Sequence, residues 1–105
     1  MKILKKLGLI FILSICAAQQ AYAVAEWRSG MIQVVYADPA DAIVTLSSAI
    51  GPCGSTNYQI PRTNANFKEF YALMLTAFVA KKKVNLYVTS CWGDRNILSH
   101  GSAAD

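Results

Sequence analysis

NFKEFYALMLTAFVAKKK, residues 66–83, decides the fold of this chain, because it is a long apolar run with charge only at its ends. At about 100° per residue, Phe67, Phe70, Tyr71, Leu73, Met74, Leu75, Ala77 and Phe78 fill an arc of roughly 200°. The remaining arc holds Lys68, Glu69, Ala72, Thr76, Val79, Ala80 and Lys83, so its middle is small or apolar as well. The spacing predicts a helix capped by Asn66, with Glu69 reaching back to it and Lys81, Lys82 and Lys83 placed at the negative end of the helix dipole. From Phe67 to Ala80 the run falls well short of the ~20 apolar residues a bilayer span requires. A transmembrane role for the helix is excluded. Two readings stay open: a core helix, or a helix that also packs on a second subunit through Ala72, Thr76, Val79 and Ala80.

On either side of the helix the pattern alternates. GMIQVVYADPADAIVTLSS, residues 30–48, reads as two strands. Ile32, Val34 and Tyr36 alternate with Met31, Gln33 and Val35 in the first, and Val44 and Leu46 with Thr45 and Ser47 in the second. Asp38, Pro39 and Asp41 supply the turn between them. A Gly-rich loop around Cys53 follows, then a short strand at 58–60 ended by Pro61. After the helix, Val84, Leu86 and Val88 alternate with Asn85, Tyr87 and Thr89, WGDR (92–95) turns, and NILSH (96–100) makes a last strand. The tail GSAAD (101–105) is expected to fray. Strand, strand, strand, helix, strand, strand predicts an α+β domain: a small antiparallel sheet or an OB-like barrel, with the helix between strands three and four.

The first residues belong to a different problem. Lys2, Lys5 and Lys6, the apolar stretch Leu7–Ala18 and Ala21-Tyr22-Ala23 form a secretory signal over 1–23, with Ala23-Val24-Ala25 offering a second cleavage point after residue 25. LSIC, ending at Cys16, resembles a lipoprotein box only loosely, since Ile15 is bulky for the position before a lipidated cysteine. The expected compartment is the periplasm or the exterior. One small domain, 24–105, remains. Removing the three leader lysines leaves seven Lys and Arg against six Asp and Glu, so the formal charge falls from +4 to near +1. The basic balance that would suggest a nucleic-acid partner therefore belongs to the leader.

Cysteine usage agrees with export. Without Cys16 the chain keeps Cys53 and Cys91, an even pair that reads as a disulfide. A bridge closing a loop of roughly 40 residues contributes roughly 4 kcal/mol in the chain-entropy model. Small domains have marginal cores, so the fold is expected to depend on it. With His100 the sole histidine, a four-ligand zinc site lacks donors, and neither metal nor cofactor is expected.

GPC (51–53), the short strand ending IPR (60–62), the helix FYALMLTAFVAKKKV (70–84) and VNLYVTSC (84–91) resemble a class of small secreted proteins of Gram-negative bacteria that have no established activity. These share a GPC loop, an Ala-rich helix and a second cysteine at a strand end. More distantly, the early Glu26-Trp27, the FKEF helix start and the strand after the helix are similar to the B subunits of subtilase-cytotoxin and pertussis-like toxins. That likeness implies an OB-like fold, a pentamer and glycan binding, and it transfers no binding residue.

The chain carries no hydrolytic triad or phosphate loop: Gly51 and Gly54 flank a cysteine, and His100 belongs to a strand end. Asp38 and Asp41 are expected to cap their turn. An enzyme is not expected. Trp27, Tyr36, Tyr58, Tyr87 and Trp92 are the aromatic candidates for binding. Trp92 either covers the bridge as part of the core or stands out as a platform, with Asp94, Arg95, Asn57 and Tyr58 beside it. The expected function is a secreted binding module for a glycan or protein, with the homo-oligomer as one form. The alternative is a structural, accessory or inhibitor protein of the cell envelope with a protein partner.

Overall fold

The computed structural model describes residues 24–105; the secretory signal expected over 1–23 and the Cys16 alternative lie outside the described residues. Five strands and one helix follow in order: β1 (Glu26–Ala37), β2 (Asp41–Leu46), β3 (Asn57–Pro61), α1 (Phe67–Ala80), β4 (Lys83–Trp92) and β5 (Arg95–Ala104). The helix keeps its expected bounds and its place between strands three and four. The strands close into a barrel in the order β1-β2-β3-β5-β4, with β4 returning to β1.

All pairings are antiparallel but one. β3 runs parallel to β5, matching Tyr58 with Asn96 and Gln59 with Ile97, a pairing that the antiparallel-sheet alternative does not include. The long connection through α1 makes that pairing possible, since parallel neighbours need a crossover. Beyond this short overlap, side chains take over from the ladder. Asn64 Nδ2 donates to the Leu98 carbonyl at 2.9 Å, and Asn66 Nδ2 to the Ser99 carbonyl at 3.2 Å. Asn66 makes no side-chain cap bond, and the expected capping box with Glu69 is absent.

β1 serves two partners. Glu26–Met31 pair with β4, whereas Ile32 and Val34–Ala37 pair with β2. A bulge between Ile32 and Val34 lets one strand turn this corner and reverses the alternation, so Val34 is exposed and Val35 is half-buried. The single run of alternation expected from Ile32 to Tyr36 fails for that reason. The strand also begins earlier than expected, because Arg28 and Gly30, which face inward here, carry no hydrophobic signal. At the other terminus the tail does not fray: Gly101–Ala104 pair with Lys83–Leu86, and Lys82 forms an ion pair with Asp105.

Ala42, Val44 and Leu46 of β2, Tyr58 and Ile60 of β3, Val84, Leu86 and Val88 of β4 and Leu98 of β5 fill the barrel. From α1 only Phe70, Met74 and Ala77 are buried against them. The helix ends as Lys81 enters the left-handed region at φ 56°, and the Lys82 amide donates to the Ala77 carbonyl at 2.9 Å. The lysine run thus terminates the helix and starts β4, and the last helical turn holds no basic residue.

Candidate functional site

The region expected to carry function, where the loop after β2 meets the turn between β4 and β5, is the most heavily cross-linked part of the domain. Cys53 and Cys91 are joined by the predicted disulfide, with a Cα–Cα distance of 5.6 Å. Beside it, Asn96 is fully buried at the start of β5 and uses its whole amide. Its Oδ1 accepts from the Cys53 amide at 2.9 Å, and its Nδ2 donates to the carbonyls of Ser55 and Asn57, both at 3.0 Å. A buried side-chain amide is tolerated only when satisfied in this way, and here it fixes the path of the loop. Gly51 is required for the same reason, since a Cβ there would overlap the Asn96 carboxamide at 2.3–2.6 Å. Ser55 Oγ extends the bracing by donating to the Asp94 carbonyl.

On this braced base stands Trp92, 66 % exposed. It is not part of the core. Trp92 pairs with Arg95 across a two-residue turn whose first member, Gly93, has φ 60°, the conformation tight hairpins demand there. The Arg95 guanidinium lies 5.5 Å from the Trp92 ring centroid, a cation–π distance. Its Nη1 also donates to Gln59 Oε1 at 3.0 Å, and Gln59 Nε2 donates to Asp41 Oδ2. A chain of contacts therefore runs from the exposed indole across the barrel wall to the β1–β2 turn.

Of the residues singled out by sequence, Trp92, Asp94 and Arg95 share this turn. Asn57 is half-buried and accepts from Thr45 Oγ1 at 3.0 Å. Tyr58 is elsewhere: its ring is fully buried in the core and its hydroxyl donates to the Ala49 carbonyl at 2.8 Å. Burial pushes the Tyr58 phenol above its ordinary pKa, with nearby Arg28 opposing. Asp38 caps its turn as expected. Its Oδ1 accepts from the amides of Ala40 and Asp41 at 2.9 and 2.7 Å, and the Asp41 bond leads in holding its carboxyl below the usual range. Among the described residues no three His, Cys, Asp or Glu side chains gather as metal ligands would.

The four small or apolar residues proposed as an interface, Ala72, Thr76, Val79 and Ala80, all lie exposed on α1. Leu75, Thr76, Val79 and Ala80 line a shallow, mainly apolar depression, with Phe78 exposed on the same helix. Among the described residues no helix is long and apolar enough to cross a membrane.

Two features escaped sequence reasoning. Asn96 had no signal beyond its place at a strand start. Trp27, Tyr87 and His100 meet in one row across β1, β4 and β5, which only the strand register reveals. Comparison with protein-family models, curated proteins and solved structures finds no match for this chain.

Proposed function

We propose that the protein is an exported, non-enzymatic binding module that recognises a glycan or a protein through the loops joined by Cys53–Cys91. One observation carries the reading. Trp92, a large aromatic, is two-thirds exposed on backbone fixed by a disulfide, a buried Asn96 and a tight turn. An exposed indole on a flexible tip would lose entropy on binding; held this way, most of that cost is already met by folding. Arg95, Asp94 and Asn57 supply charge and hydrogen bonding around it.

The closed order β1-β2-β3-β5-β4, the parallel β3–β5 pair and the helix between β3 and β4 support assigning the barrel to the OB-like type. The secretory signal read from residues 1–23 supports a periplasmic or extracellular location. Multivalent glycan arrays and capture from envelope extracts, each run with the oxidised protein and with Trp92→Ala and Arg95→Ala, test the reading. A ligand, glycan or protein, whose binding is lost in both variants supports it; the absence of any ligand sensitive to either variant refutes it.

A second reading, an accessory or inhibitory protein working through a protein interface or a homo-oligomer, is favoured by Leu75, Phe78 and Val79 standing 39, 40 and 80 % exposed on α1. Light scattering on the oxidised protein separates the two. A closed oligomer dissociated by Val79→Glu supports the helix interface, whereas a monomer at every concentration leaves the disulfide-linked loops as the binding surface.

A further inference from the structure

On the outer wall formed by β1, β4 and β5, outward-facing residues fall into register. Trp27 pairs with Tyr87 and Tyr87 with His100, which makes one aromatic row across three strands. Ring centroids are 5.0 Å apart for Trp27–Tyr87, 5.0 Å for Tyr87–His100 and 5.3 Å for Trp27–His100. Trp27 remains 51 % exposed in spite of these contacts. Two residues along each strand comes a second row, Ser29, Asn85 and Ser102. Ser29 Oγ donates to Asn85 Oδ1, and Asn85 Nδ2 donates to Ser102 Oγ at a long 3.5 Å.

Cross-strand aromatic pairs by themselves only stabilise a sheet. The juxtaposition goes further. An apolar ring surface borders a strip of hydroxyl and amide groups about 7 Å away along the strands. That is the pairing a pyranose asks for, with C–H groups on one face and hydroxyls around its rim. Neither row contains a carboxylate, a lysine or an arginine; the next outward row, Met31, Lys83 and Ala104, brings in a single lysine. His100 Nδ1 is hydrogen-bonded to Ser99 Oγ at 2.7 Å, which orients the imidazole within the row.

We infer that the Trp27–Tyr87–His100 row and the Ser29–Asn85–Ser102 row together form a binding site for an uncharged sugar. The half-exposed Trp27 indole, held by its contacts with Tyr87 and His100, stacks against the apolar face of the sugar, while Asn85 and the two serines bond its hydroxyls. The site is separate from the Trp92 turn and does not depend on it.

The two indoles allow a clean test, since Trp27 and Trp92 are the chain's only tryptophans. In Trp92→Phe, Trp27 alone reports. Its emission is followed while the oxidised protein is titrated with methyl glycosides of glucose, galactose and mannose and with N-acetylglucosamine oligomers. The same uncharged sugars are presented on an array to the unaltered protein, Trp92→Ala, Trp27→Leu and Asn85→Leu. The inference predicts a saturable shift of Trp27 emission by at least one of them. It also predicts array binding that Trp92→Ala retains and that Asn85→Leu and Trp27→Leu weaken about tenfold or more. Trp27 emission unmoved by every sugar in the panel overturns the inference. So does array binding of undiminished strength in folded Asn85→Leu. Loss of array binding in Trp92→Ala alone would assign the sugar to the Trp92 turn and overturn it equally.

Discussion

The loop at 47–56 and the helix α1 have opposite means of support. The loop is held by one covalent bond and by polar groups: the Cys53–Cys91 bridge, the three hydrogen bonds of Asn96 and the Ser55–Asp94 contact. The helix is held by packing, and only Phe70, Met74 and Ala77 of its fourteen residues are buried. A loop cannot hide its backbone without paired polar groups, whereas a helix satisfies its own backbone and needs only an apolar stripe. In so small a domain the two solutions divide the labour. Rigid backbone goes to the exposed Trp92 turn, and the helix keeps an apolar outer face available for contact.

The largest effect expected is from the bridge. Replacing both Cys53 and Cys91 by alanine should cost roughly 4 kcal/mol, as the 38-residue separation implies in the chain-entropy model. Total stability of small domains is of that order, so the reduced or Cys-free protein should be largely unfolded at physiological temperature by circular dichroism. A folded, cooperative Cys-free protein would show that Asn96 alone suffices to close the loop.

Met74→Ala comes next, at about 3 kcal/mol, because the side chain is fully buried beneath the helix. Val79→Ala, on the outer face of the same helix, should change stability by less than ~0.5 kcal/mol. Equal losses at the two positions in urea denaturation would mean that the outer face is covered in solution.

Asn96→Ala is expected to cost about 2 kcal/mol, and its signature is where it acts. Hydrogen exchange at the Cys53 amide should accelerate while the amides of α1 keep their rates relative to global unfolding. Uniform acceleration would erase the distinction between the two regions.

A subtler probe is alkaline pH. Tyr58 has its pKa raised by burial, so its contribution is complete below the ordinary tyrosine value of 10.0 and is lost as pH rises through the elevated folded value. Tyr58→Phe should flatten that part of the stability–pH curve. Its hydroxyl bonds to Ala49, inside the braced loop, so the loss should appear first there and only later in the helix.

The helix was legible because its apolar run ends in charge on both sides, and the bridge because setting aside Cys16 leaves one pair of cysteines. The five strands were legible at their alternating cores and not at their ends. Arg28 and Gly30 face inward without being hydrophobic, and Gly101–Ala104 form a strand without a single β-branched residue. Asn66 could be read only as a cap, since the carbonyl it serves, on Ser99, lies 33 residues away. Of the site, Trp92, Asp94 and Arg95 were readable as turn neighbours. Tyr58 misled because aromatic character does not reveal which face of a strand it occupies. The row of Trp27, Tyr87 and His100 depends on register across three strands, which only the finished barrel sets.

The divided strand β1 carries a consequence for how the chain is made. Its second half meets β2 within a hairpin, but its first half waits for β4: Ser29 and Asn85, which touch, are 56 residues apart in sequence. Contacts so distant are slow to form, because the whole intervening chain must be confined before they yield anything. A ribosome delivers Glu26–Met31 first among the elements of the barrel and its partner almost last. For that interval Trp27 has no partner strand, and the barrel can be sealed only once β5, the last strand made, has joined β3 to β4.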